Sequence, residues 1–430
     1  MKDQYLYPTK QNNILLYYQR ILAIAAILVF FTKLDVYFNL RQLLPVTPLL
    51  LVIMFTMASA PLLILMPSKL KAFPPSLIIW SLFYIGVSCF GLMVALPYVP
   101  GIPIETTVQD LETRILAIFG LCLMAYIFST KDKWIYDYAQ RSILVATLVN
   151  VFSSVLEFFQ PETFGLAEKI AGRSAGFYVN ANELAIALII GMILSMTAVP
   201  KKFRFLFAIS ILIGEIFTFS RGGFLGWIIV TFAFTQLKII PRRQIANWIM
   251  GIVLSLIILS TQLGNLSSAL NGANSNLLNE DTLSRISWIS KGGNTIDPDG
   301  GSRFNIALEA LHKFARSPIV GNGISSSRET HGHPLELDKL DRTGQQPHNI
   351  HLVNLVEHGI IGFFIFPSLL FASIHRGKGE TKKIGIVFLI YYLSAGLLTH
   401  TILYDNYSLI SIGLMFSLSQ VGDLREYLNA

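Results

Sequence analysis

Apolar runs long enough to cross the ~30 Å hydrocarbon core of a bilayer as helices follow one another through almost the whole of this 430-residue chain. They lie near 14–38, 46–66, 75–97, 111–129, 139–160, 181–199, 203–219, 222–238, 246–262, 350–373, 383–400 and 403–420. Inside lipid no water satisfies backbone polar groups, so runs of this kind must be helical. The expected fold class is an all-α polytopic membrane protein of about twelve transmembrane helices. The composition agrees, because 14% charged residues falls well below the roughly 25% of a soluble domain. Residues 1–430 read as a single transmembrane domain.

The charge of +7 is carried in short clusters between the runs, the pattern of cytoplasmic loops, and not in the continuous patch that nucleic acid requires. One alternate set of loops holds Lys69, Lys71, Lys131, Lys133, Arg141, Lys201, Lys202, Arg204, Lys238, Arg242, Arg243, Arg376, Lys378, Lys382 and Lys383. The other set, around 39–45, 98–110, 161–180, 220–221 and 401–406, has few. With twelve spans this parity puts both termini in the cytoplasm. The polar start Met1 to Asn13 leads into a run followed by many others, so the first helix is expected to be the targeting signal. Cys89 and Cys122 sit in separate runs without a CxxC spacing, which gives neither a disulfide framework nor a thiolate metal site.

The polar stretch 263–347 then falls outside, between the ninth and tenth spans. Loops of that length are functional or disordered, and this one has its own helical period in Phe304, Ala307, Leu308, Leu311, Phe314 and Ala315. Ser302 is the expected cap. Asn271 to Asn279 and the pairs Gly292, Gly293 and Gly300, Gly301 read as connection.

All eight histidines lie after residue 311. His348, at the mouth of the tenth run beside Asn349, is a candidate proton acceptor for a sugar hydroxyl, with an interfacial histidine as the plainer reading. Arginines that break the positive-inside bias are Arg173, Arg221 and Arg303. A guanidinium fork suits phosphate oxygens, whereas each alone is also what a snorkelling side chain looks like. Glu183 and Glu215 are expected to partner or orient these arginines, since a carboxylate in or near a span needs pairing. His331 and His333 have no third ligand spaced to join them, and no Walker-type cradle is present. Neither a metal nor a nucleotide cofactor is expected.

The segment HNIHLVNLVEHGIIG, His348 to Gly362, resembles the HN, nine residues, GxxG signature of bacterial O-antigen ligases, which is shared with O-antigen polymerases. FTFSRGGFLGW around Arg221, GSRFNIALEALHKFARSPIVGNG around Arg303 and GRSAGFYVNANELA around Arg173 are similar to other elements of that superfamily. In the last, Asn180, Ala181 and Asn182 stand where many relatives have Asn-Pro-Asn. The resemblance implies a metal-independent inverting glycosyltransferase of the bacterial inner membrane, its active site periplasmic. The donor would be a glycan on undecaprenyl pyrophosphate. The acceptor would be lipid A core for a ligase or a second lipid-linked glycan for a polymerase. It also implies His348 as the general base or orienting group, Arg221 and Arg303 on the pyrophosphate, and Arg173 assisting. A lipid-linked sugar transporter is the alternative of a different class, but transporters concentrate charge at mid-membrane. Here the polar residues gather at the outer interface.

Overall fold

The computed structural model describes residues 10–66, 73–95, 103–129, 133–164, 173–241, 298–328 and 346–421. Every regular element among them is helical. In chain order these are α1 (Lys10–Ala26), a π-turn (Ile27–Phe31), α2 (Leu34–Leu40), α3 (Pro48–Leu65), α4 (Pro75–Ala95), α5 (Ile104–Phe128), α6 (Lys133–Phe159) and the single turn α7 (Pro161–Phe164). After them come α8 (Ala181–Ser195), α9 (Arg204–Thr218), α10 (Arg221–Gln236), α11 (Pro298–Arg316), α12 (Ile350–Phe363), α13 (Ile365–Ile374), α14 (Gly379–Gly396) and α15 (Asn406–Val421).

Five helical stretches, Asn13–Phe31, Pro48–Leu65, Pro75–Ala95, Ile104–Phe128 and Asp137–Phe159, are long and apolar enough to cross a membrane. The bent pair α12 and α13 makes a sixth if it is one span. The expected twelve are not reached among the described residues. Five of the remaining runs are α8, α9, α10, α14 and α15, of 15 to 18 residues each, and the run 246–262 lies outside the described residues. A 15-residue helix rises only ~22 Å. The irregular segments 173–180 and 397–405 that continue α8 and α14 are packed in protein, with Tyr178, Ile402 and Leu403 buried, which is where membrane proteins tolerate non-helical backbone.

The solvent for which the chain is built shows in what it exposes. Met57 is 70% exposed, Ile64 74% and Met93 70%, a density of bare aliphatic surface that water would not tolerate. The opposite extreme is α8, where every residue from Leu184 to Ser195 is buried. It is apolar all round because α6, α9, α10, α14 and α15 pack against it.

Three expectations need correction. The first run, 14–38, is not one helix: it winds into the π-turn and breaks at Lys33, whose φ of 56° is left-handed. The tenth run bends by 60° between α12 and α13. The loop helix begins at Pro298, so Ser302 lies inside it and not at its N-cap position, and Arg303 sits in its second turn. The glycines of the GxxG half of the motif explain the second bend. Gly359 has φ 64° inside α12, and a Cβ there would lie 2.3 Å from the Ile319 carbonyl oxygen. A Cβ on Gly362 would lie 1.9 Å from that of Asn354.

Candidate active site at one end of the bundle

The local sequence sets each part of the site. Asn349 is the N-cap of α12: its Oδ1 accepts from the backbone N–H of His351 at 2.9 Å and of Leu352 at 3.1 Å. The cap fixes the residue before it, His348, which is exposed. The N–H of Ile350 donates to the Thr399 carbonyl at 3.1 Å, joining the start of α12 to the connection between α14 and α15. There His400 brings its ring centroid to 5.4 Å from that of His348.

The arginine half is built on the α9–α10 turn. Phe219, left-handed with φ 48°, ends α9, and Ser220 caps α10 by accepting from the Gly223 N–H at 3.2 Å. Arg221 is thus the first residue of α10, at the turn where the sequence reading set it. The Ser220 hydroxyl also donates to Asn182 Oδ1 at 3.1 Å. The same oxygen accepts from Arg173 Nη2 at 2.9 Å, while Arg173 Nε donates to the Thr218 carbonyl at 3.1 Å. Arg173 is held in place because the buried Glu157 gathers the segment behind it. That carboxylate accepts from the Ser174 hydroxyl at 2.8 Å and from the N–H groups of Ala175 at 2.6 Å and Gly176 at 2.5 Å. The helix entry that departs from Asn-Pro-Asn is a cap of its own, with Asn180 Oδ1 accepting from the Asn182 N–H at 2.8 Å.

The two halves meet just beyond the end of α14. A Cβ on Gly222 would lie 2.8 Å from Leu398 Cδ1, so the first turn of α10 rests on the chain just before Thr399 and His400. A second tie is ionic. Lys33 bonds the Glu183 carboxylate and lies 3.3 Å from Asp405 Oδ1. Asp405 Oδ2 in turn accepts from the Thr401 hydroxyl at 2.7 Å. Arg173, Glu183, Arg221, Asn349 and His348 therefore gather at one end of the bundle. At the other end lie Lys201, Lys202, Lys238, Arg376 and Lys378, and there Arg204 stands 4.0 Å from Glu380.

Two expected residues differ from the rest. Glu215 is buried beneath the first turn of α10, where a Cβ on Gly223 would meet its Oε2 at 2.0 Å, and its carboxylate makes no hydrogen bond among the described residues. Arg303 lies on α11, but its side chain, like the His331 and His333 pair, is outside the described residues. No group of three or more potential metal ligands occurs among the described residues.

A buried lock lies beside the site. Arg114 of α5 pairs with Glu357 of α12, and its Nη1 is 2.6 Å from His358 Nε2. Glu357 Oε1 accepts from the Ser327 hydroxyl at 2.7 Å and from the Ser325 N–H at 3.2 Å. Arg328 spans Asp110 with two bonds of 3.1 and 3.0 Å. The segment after α11 is thereby pinned to α5 and α12. Lys33, Arg114, Arg328, Glu357, His400 and Asp405 were not singled out as site candidates from the sequence. The signal available for Lys33 and Arg114 was a charge inside an apolar run, which lipid makes expensive unless it is paired.

No match was found among curated proteins. Residues 205–366 match a protein-family model described as O-antigen ligase. The matched stretch contains Glu215, Arg221, Arg303, His348, Asn349 and both glycines of the GxxG motif, whereas Lys33, Arg173, Glu183, His400 and Asp405 lie outside it. The protein is a membrane protein with an O-antigen ligase family domain, which the match sets between the first turn of α9 and the start of α13.

Proposed function

We propose that the protein transfers an O-antigen-type glycan from undecaprenyl pyrophosphate to a saccharide hydroxyl of lipid A core, at the periplasmic face of a bacterial inner membrane. Lipid-linked glycan transfer is the chemistry of the family. The observation that carries the finer reading is the gathering of Arg173, Arg221 and His348 at the bundle end opposite the basic connections. Basic connections are retained in the cytoplasm, which supports a periplasmic site, cytoplasmic termini and the twelve-span count.

In this reading the acceptor oxygen attacks the anomeric carbon on the face opposite the pyrophosphate, inverting it. The bond from that carbon to the phosphate oxygen breaks, and undecaprenyl pyrophosphate departs with the bonding pair. His348 orients the hydroxyl and accepts its proton. Arg221 and Arg303 neutralise charge growing on the leaving pyrophosphate, with Arg173 assisting. Asn349 acts through the cap that sets His348, Glu183 through the Lys33 pair, and Glu215 from beneath the turn bearing Arg221. Activation resides in the pyrophosphate linkage, so neither metal nor nucleotide is called for.

The acceptor decides between the two activities of the superfamily. Purified protein in liposomes, given lipid-linked donor with lipid A core or with a second donor molecule, is expected to label the core alone. A ladder of longer lipid-linked chains would make it a polymerase. Donor that crosses the bilayer with no new glycosidic bond would make it a transporter.

A further inference from the structure

Resting on that transfer reading, we infer that Lys33 is a positioning residue of the site: it pins the arginine half to the histidine half and cancels carboxylate charge that would otherwise repel a pyrophosphate. The ammonium bonds Glu183 in the first turn of α8, one residue from the Asn182 that holds Arg173 and Ser220. It also reaches Asp405 at 3.3 Å, in the connection that carries His400. The rings of Tyr178 and Tyr407 stand 5.8 and 5.7 Å from it, a distance at which a ring face favours a cation.

The backbone is bent to deliver this one side chain. The π-turn Ile27–Phe31 and the left-handed φ of 56° at Lys33 break the first span directly beside the site. Both features are costly for a non-glycine residue and collect where function requires them. Among the described residues Lys33 touches none of the reacting groups, so its effect passes through Glu183 and Asp405. Two carboxylates share one ammonium, and without it two like charges remain in a largely dehydrated place. One of them then holds a proton to higher pH.

The test is Lys33→Met beside Lys33→Arg in liposomes, reading donor affinity, donor KM, kcat and melting temperature at about pH 8 and about pH 6. The titratable groups facing position 33 are Asp35, Tyr178, Glu183, Asp405 and Tyr407. Loss of the cation is expected to raise donor KM by roughly tenfold or more at the higher pH, and by at least about threefold less at the lower, where the carboxylates take up a proton. Lys33→Arg is expected to recover most of the affinity. Parental kcat and KM in Lys33→Met, or a loss equal at both pH values that tracks a fall in melting temperature, would overturn the assignment. If the parent binds donor but transfers nothing, the transfer reading alone falls, because the donor affinity of Lys33→Met and its pH dependence still decide the role of Lys33.

Discussion

His348→Ala is expected to lower kcat for glycan transfer by about 10²- to 10⁴-fold, the range for removing a general acid–base group, while donor affinity and melting temperature stay close to those of the parent. The separation follows from the geometry. His348 is exposed and stands before the cap of α12, and Asn349, not His348, bonds the His351 and Leu352 N–H groups. Removing the imidazole leaves that helix start and the Ile350 to Thr399 bond in place. Single-turnover transfer at saturating donor, with donor binding measured separately, checks it. A variant within threefold or so of the parent would move the proton acceptor to another group.

Removing one member of the Arg114 and Glu357 pair should be the most destabilising single change in the described part of the chain. Arg114 is 3% exposed and Glu357 fully buried, and leaving either charge alone in such a place costs about 3–5 kcal/mol. Glu357→Leu also strips acceptors from the Ser325 N–H and the Ser327 hydroxyl. The turn from Ser325 to Arg328 should then loosen and become more open to protease, while the backbone bonds of Asn322 and Gly323 to Val356 and Glu357 keep the chain before it on α12. The double variant Arg114→Leu, Glu357→Leu removes both charges at once, so its loss should be clearly smaller than the sum of the two single losses. Thermal unfolding in detergent, run beside limited proteolysis, decides it. Single variants that melt with the parent would mean that water reaches the pair.

Much of this arrangement was legible in the sequence where hydropathy and turn chemistry speak together. The runs at 203–219 and 222–238 became α9 and α10 with Arg221 at their turn, because Ser220 and the two glycines after it encode a cap and a close approach. The His-Asn pair at 348 and 349 announced a helix start, and it is one. What hydropathy averages over was lost. Lys33 disappears into the run 14–38 because one charge barely changes a window of that length, yet it breaks the helix. Its partners Glu183 and Asp405 lie 150 and 372 residues away in sequence, a separation no local period can reveal. The same holds for Arg114 and Glu357, 243 residues apart. Glu215 was picked out as a charge needing a partner, and the structure instead tucks it beneath Gly223. The 60° bend was hidden because 350–373 read as one apolar run, while the space available at Gly359 is set by Ile319 from a different segment.

The central claim is that this end of the bundle breaks the bond between a glycan and its lipid pyrophosphate while making a new glycosidic bond. The direct measurement counts both in one reaction: undecaprenyl pyrophosphate released and glycan joined to acceptor, in liposomes, with a strong chelator present. The account predicts equal amounts of the two, unaffected by the chelator and nearly abolished in His348→Ala. Donor that is bound or moved across the bilayer without release of lipid pyrophosphate would contradict it.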